Sequence, residues 1–258
     1  MTRIALVGSG KVAWQLGKRL TDKGFAVSQV LSRTAEHARS LAEALHATWS
    51  DQWSDILPDT DWILIAIRDD VIGVVAEELS HHAPGVLATH TSGATPGTVL
   101  APFFKRNGVF YPLQTFSQER RPNWSEIPIC VDASTKQDLD VMLHIADKIG
   151  QKAYIIDDTQ RAQLHVAAVF ANNFSNHCFV IAEKILEEKG LSFELLHPLM
   201  QETLAKALEQ SPFAMQTGPA LRGDQDTMQR HLQLLEQHPD WQQVYRLISE
   251  SIEKEHSS

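Results

Sequence analysis

Apolar positions in the first part of the chain gather into short runs separated by amphipathic stretches. Arg3 to Val7, Ala26 to Leu31, Ala47 to Trp49, Trp62 to Ile67, Val86 to Thr91 and Val109 to Tyr111 read as strands. Between most of them the apolar positions widen to helical spacing, notably over Thr34 to Leu45 and Val71 to Ser80. Such alternation predicts an α/β fold built on a parallel, doubly wound sheet. Two later strands, Ile129 to Val131 and Ala153 to Ile156, bracket a helix over Lys136 to Ile149.

After Asp157-Asp158 strand signals stop, and the pattern predicts an all-helical C-terminal domain. The first helix runs from about Gln160 to Glu188 and ends at Gly190. Its segment Leu164 to Ile181 is apolar almost all round, which predicts a buried helix. The next helix covers Phe193 to Gln210 with an interruption at Pro198, and two more, Gln225 to Gln237 and Trp241 to Glu253, meet at Pro239. Residues Glu253 to Ser258 read as a frayed tail. The expected domains are therefore 1–157 and 158–258.

The first strand runs straight into Gly8-Ser9-Gly10-Lys11-Val12-Ala13, and a helical pattern follows. This is the GxGxxA form of a dinucleotide-binding turn, flanked by strand and helix on the required sides, and it predicts a Rossmann sheet. Gly8 permits the tight turn, Gly10 admits a pyrophosphate, and Ala13 allows close packing of helix on strand. The diphosphate would rest on the free N–H groups of the helix N-terminus. The ribose-binding position lies about 20 residues beyond the glycines. There the chain has Ser32-Arg33-Thr34 and no acid. An acid would repel a 2′-phosphate, whereas Arg33 would bind one and both hydroxyls would donate to it. The expected cofactor is NADP, with Ala66 and Ile67 at the end of the fourth strand beside it.

Size and charge narrow the class. The 258 residues are 43% hydrophobic, enough for one large or two ordinary cores. No apolar stretch is long enough to span a bilayer, and no basic-then-apolar leader precedes Ile4, so a cytoplasmic protein is expected. The two cysteines, Cys130 and Cys178, both sit in apolar runs and are expected to be buried thiols in a reducing compartment. A net charge of −9 argues against a nucleic-acid surface but not against a small anion held by local arginines. The 12 histidines are dispersed without metal-ligand spacing, so no metal is expected.

Ligands of open α/β sheets gather beyond the carboxyl ends of the strands. Three polar turns fall there: Ile67-Arg68-Asp69-Asp70, His90-Thr91-Ser92-Gly93-Ala94, and Tyr111-Pro112-Leu113-Gln114-Thr115-Phe116. Each alone also reads as ordinary turn chemistry. The first C-terminal helix carries His165, Asn172, Asn173, Asn176 and His177. At α-helical spacing 165, 169, 172 and 176 share one face, either lining a substrate or bonding to neighbouring helices. Farther on, Asp224 is a natural N-cap, and Arg222 is either an anion contact or a surface charge.

HTSGATP, YPLQTFS, LHVAAVFANNFSNH and QTGPALRGD resemble an uncharacterised bacterial family in which a Rossmann-like half precedes a helical domain of unknown function. The layout more distantly resembles the β-hydroxyacid dehydrogenase superfamily, with ketopantoate reductase and pyrroline-5-carboxylate reductase. That resemblance implies substrate contacts at Ser92 and Gly93 and a lysine and asparagine on the first C-terminal helix. Asn172 and Asn176 match amide positions, but no lysine lies between Arg161 and Lys184. His165 is the expected replacement, since an imidazole ordinarily titrates near pH 6.5. The reading is an NADP-dependent oxidoreductase acting on a small, polar, anionic substrate. Ser92, Gly93, Gln114, Asn172, Asn176 and Arg222 would hold that substrate, and His165 would move the proton. The alternative is a non-catalytic NADP-binding sensor. A homodimer through the C-terminal helices is expected, because the first of them carries more apolar surface than short helices cover.

Overall fold

The computed structural model describes residues 2–117 and 120–257. Its strands are β1 (Arg3–Val7), β2 (Ala26–Leu31), β3 (Thr48–Ser50), β4 (Trp62–Ile65), β5 (Leu87–His90), β6 (Asn107–Pro112), β7 (Ile129–Ala133) and β8 (Ala153–Ile155). They form one eight-stranded sheet in the order β3-β2-β1-β4-β5-β6-β7-β8. The helices are α1 (Lys11–Asp22), α2 (Ala35–Leu45), α3 (Ile72–Ser80), α4 (Lys136–Ile149), α5 (Asp158–Ala168), α6 (Ser175–Glu187), α7 (His197–Glu209), α8 (Gln225–Leu234) and α9 (Pro239–His256). Chain contacts divide the molecule into Met1–Val169 and Phe170–Ser258, against an expected division after residue 157.

In the first unit, alternation along the strands sends side chains to two cores. Ile4, Leu6, Val30, Trp62 and Leu64 pack on one face of the sheet with α1, α2 and α4. Ala5, Val7, Leu31, Ile63 and Ile65 pack on the other with α3. Trp62 meets Phe110 edge-on at 5.1 Å between ring centroids, and its indole N–H donates to Thr89 Oγ1 at 2.8 Å. The buried tryptophan thus loses no hydrogen bond. The sheet departs from the all-parallel expectation at one pair: β6 and β7 are antiparallel. A parallel pair needs a crossover, usually a helix, and the described residues linking these strands hold only a short turn at Trp124–Glu126. The connection from β7 to β8 contains α4, and that pair is parallel.

The helical half departs from expectation in several places. α5 begins at Asp158, because Asp157 accepts the Gln160 N–H at 2.8 Å while the Gln160 side chain accepts the Asp157 N–H at 3.1 Å. The helical run then changes to a π segment, Val169–Phe174, before α6. A π turn closes on the fifth residue, so the α-helical phase that put 165, 169, 172 and 176 on one face does not hold. Pro198 and Pro239 start α7 and α9, where proline's missing N–H costs nothing. α9 continues to His256, so Glu253 to His256 are not frayed.

The predicted burial of Leu164 to Ile181 is not found either. Phe170 and Phe174 are 64% and 51% exposed, and their rings pack on each other 5.0 Å apart. Cys178 is exposed as well, whereas Cys130 is buried. In the second unit, Ala220, Met228 and Leu232 are the apolar residues fully buried among those described. α8 starts as expected, with Asp224 accepting the Thr227 N–H at 3.1 Å.

β5 ends in a histidine with no solvent exposure, His90. Its Nδ1 accepts the Ser92 N–H at 3.2 Å, so the neutral ring carries its proton on Nε2, 3.3 Å from the Pro96 carbonyl. Burial pushes its pKa down from 6.5 to about 4, against the pull of the Pro96 carbonyl. As pH falls, the unfolded chain therefore takes up this proton first, and stability drops between pH 6.5 and about 4. From pH 7 to pH 5 the loss is about 2 kcal/mol from this group alone. Chemical denaturation followed by tryptophan fluorescence at the two pH values should show that extra loss in the native protein and not in His90→Asn. Equal pH dependence in both would remove His90 as its source.

Candidate functional site

The strand order reverses at β1 and β4, and a crevice opens beyond their carboxyl ends. Gly8 stands there with φ +112°, its N–H donating to the Leu31 carbonyl at 2.8 Å. A side chain at Gly8 would collide with the Ala66 carbonyl and with Ile67, so the first glycine is required by both conformation and space. Gly10, the N-cap of α1, is different: a Cβ there would meet nothing within 4 Å. Its backbone faces open space at the start of the helix, followed by Lys11 and Val12, with the first-turn N–H groups free for an anion. Ala13 is completely buried, as close packing of α1 on the sheet demands.

Two cavities meet at Ser9 and Gly10. One, of about 230 Å³, is lined by Ser32, Arg33 and Thr34 on one side and by Ala66, Ile67 and Arg68 on the other. The second, of about 720 Å³, is lined by Lys11, Trp14, Lys18, His37 and Arg121. Ser9 Oγ and Ser32 Oγ lie 2.8 Å apart, tying the glycine turn to the end of β2. Arg33 is exposed, and among the described residues no carboxylate pairs with it; Arg68 is instead neutralised by Asp70 at 2.7 Å. An open glycine backbone, an unneutralised arginine at the ribose position and a cationic cavity beside it fit a dinucleotide carrying an extra phosphate.

The next two strand ends bring together residues that the sequence left scattered. After β5 the chain turns back at Ser92, whose Oγ accepts the N–H groups of Ala94 at 3.2 Å and Thr95 at 2.9 Å and lies 3.0 Å from Thr95 Oγ1. Ser92 is buried, and its hydroxyl is committed to shaping its own turn. That turn presents Gly93 to His165 of α5 and Tyr111 of β6. A Cβ on Gly93 would lie 2.5 Å from His165 Nδ1 and 2.9 Å from Tyr111 Oη. Tyr111 Oη and His165 Nδ1 are 3.4 Å apart, a long contact that lets either atom donate. Burial raises the Tyr111 phenol above its ordinary value, while the nearby Arg161 guanidinium works the other way.

Arg161, one turn before His165, is 1% exposed. Its Nη2 donates to the Thr95 carbonyl and to Asp158 Oδ1, both at 2.7 Å.

The other expected site residues are each exposed. Gln114 is exposed, and its side chain accepts the N–H of its neighbour Thr115 at 2.8 Å. Asn172 and Asn176 are exposed in the π segment and in α6, so they need no buried partners. Arg222 is exposed on the turn before α8, close enough to Asp224 to lower the carboxyl pKa alongside the Thr227 hydrogen bonds that dominate it. Sequence reasoning attached the sixth-strand motif to Gln114 and passed over Tyr111. It used Arg161 only to bound a stretch without lysine. The spacing of Asp158, Arg161 and His165, three and then four residues, was the available signal that they share a helix face.

Family comparison agrees with the dinucleotide crevice. Residues 3–89 match the model of "NADP oxidoreductase coenzyme F420-dependent" domains, and residues 127–252 match "Domain of unknown function (DUF2520)". No curated protein matches the chain in sequence. Among solved structures it is similar to a Bacteroides fragilis protein provisionally assigned as an NADP oxidoreductase, at 36% identity and TM-score 0.92 over 98% of both chains. A Thermotoga maritima protein shares the fold at 20% identity and TM-score 0.74 over 98% of both chains. An Aspergillus terreus reductive aminase, solved with NADPH, shares it at 16% identity and TM-score 0.73, over 98% of this chain and 93% of that one. The chain belongs to the family that joins an NADP oxidoreductase domain of the coenzyme F420-dependent type to the C-terminal domain of unknown function DUF2520.

Proposed function

We propose that this chain binds NADP(H) at the Gly8–Gly10 turn and reduces or oxidises a small polar, anionic substrate, with the proton carried by His165 and Tyr111. The observation that carries the reading is the contact of Tyr111 Oη with His165 Nδ1 beside Gly93, at the same sheet edge as the dinucleotide crevice. When bound, NADPH supplies hydride to an electrophilic carbon such as a carbonyl or imine carbon. His165 and Tyr111 give the substrate heteroatom its proton, or take it in reverse. Gly93, lacking a side chain, lets Tyr111 and His165 close against the turn and meet each other. Ser92 acts by holding that turn.

The exposed apolar surface of the second unit supports a homodimer. Leu195, Leu199, Leu204, Leu208 and Phe170 are each more than 60% exposed, against three fully buried apolar residues in that unit. Monomeric proteins rarely leave so much contiguous apolar surface in water. No described helix is long and apolar enough to cross a membrane. We place the protein in the cytoplasm.

Calorimetry should find NADPH bound more tightly than NADH. A charged hydrogen bond contributes roughly 1.5–3 kcal/mol, so the ratio is about 10- to 150-fold and collapses in Arg33→Ala. Equal affinities in the native protein would overturn the cofactor assignment.

Turnover is tested on a panel of small ketones, keto acids and cyclic imines. His165→Asn and Tyr111→Phe should each lower the rate, by as much as about 10²–10⁴-fold for a proton-transfer group, with NADPH affinity unchanged. Tight NADPH binding with no turnover across the panel favours the sensor reading instead.

Sedimentation at micromolar concentration should show a dimer that dissociates in Leu195→Glu/Leu199→Glu. A native monomer would rule the interface out.

A further inference from the structure

The charge pair behind the site, a buried arginine with a partly exposed aspartate, has a job that its place in the helix does not explain. Asp158 and Arg161 are one turn apart at the start of α5, and a surface pair at that spacing would serve to support the helix. Here the guanidinium is 1% exposed, and its Nε and Nη1 are buried with no partner among the described residues. Burying a whole guanidinium for one counter-ion is a poor way to stabilise a helix.

Its remaining bonds all go to the turn after β5. Arg161 Nη2 donates to the Thr95 carbonyl at 2.7 Å, and Asp158 Oδ1 accepts the Gly97 N–H at 2.9 Å. Burial acts against the Asp158 carboxylate, and the Gly97 N–H and the Arg161 guanidinium outweigh it, so its pKa falls below the ordinary value. Both ends of the pair therefore fasten one short segment, Thr95 to Gly97, to α5. Two residues upstream, Gly93 lies against both Tyr111 and His165, and His165 follows Arg161 by one turn of α5.

We propose that the Asp158–Arg161 pair is a positioning clamp. It fastens the Ser92–Gly97 turn to α5, and so holds Tyr111 Oη and His165 Nδ1 within reach of each other. Arg161 touches neither reacting group; it acts through the turn. The charge is worth burying because a rigid turn sets a distance that a water-exposed pair would let drift. The proposal rests on the His165–Tyr111 reading of the site.

The test reads the contact itself, in the full chain without substrate, from the His165 imidazole ¹⁵N resonances. Tyr111→Phe should shift them in the native background. In an Arg161→Met background the same Tyr111→Phe change should produce no shift, because the two groups have already separated. If Arg161→Met does not fold, Asp158→Asn/Arg161→Met removes both charges together and leaves no lone buried ion. A full-sized shift in the clamp-deficient background overturns the clamp and leaves the catalytic pair standing. No shift in the native background shows that the pair is not in contact, and both readings fall. Loss of thermal stability with the shift intact marks the ion pair as structural only and likewise overturns the proposal.

Discussion

No side chain fits between Gly8 and the carbonyl of Ala66, and the rest of the first unit is arranged around that approach. β1 and β4 are neighbours although a full βαβ excursion separates them in sequence. Their carboxyl ends therefore diverge into connections on opposite sides, which opens the crevice. A glycine at φ +112° lets the chain leave β1 against β4 without filling that space. The N-terminus of α1 then points into it. Cofactor site and sheet topology thus follow from one steric constraint, and the β5 and β6 ends extend the same edge toward Tyr111 and His165.

The sheet was legible in the sequence because its strands are buried on both faces and the helices between them are amphipathic. Lys136 to Ile149 was predicted and found with the same limits, since Thr135 caps it and Gly150 ends it. The antiparallel β6–β7 pair was not legible. Direction there depends on the connection lacking a crossover helix, which no strand's own residues record. The helical half read less well. Pro198 was taken as an interruption and Pro239 as the junction of two helices, although both sit in first turns, where they initiate. Its apolar helix was assigned to a core, although hydrophobicity all round a helix says only that something covers it.

The cofactor end of the site was legible for a simple reason: its residues are contiguous, and each glycine or hydroxyl has a fixed duty within a short turn. The chemical end was only half legible. His165 was proposed as the group standing where the resemblance implies a lysine. Its partner Tyr111 comes from a strand far away in sequence, and only the fold brings the two within 3.4 Å. Asn172 and Asn176 were placed with His165 by assuming an unbroken α-helix. The π segment at Val169–Phe174 removes that phase relation.

The proposed pairing of His165 with Tyr111 has consequences for how such a site must be built. An ammonium on a long stem reaches its target through its own rotamers and tolerates small backbone errors. An imidazole on one helix and a phenol on one strand have shorter reach, so their separation is set by the elements carrying them. Two side chains from distant parts of the chain then need a third connection that fixes strand end to helix. In this fold the turn after β5 is the segment touching both, and Asp158 and Arg161 are the groups that bind it to α5. His90 secures the same turn from the sheet side through the Ser92 N–H and the Pro96 carbonyl. The turn is therefore held from below by a neutral imidazole and from the helix by an ion pair.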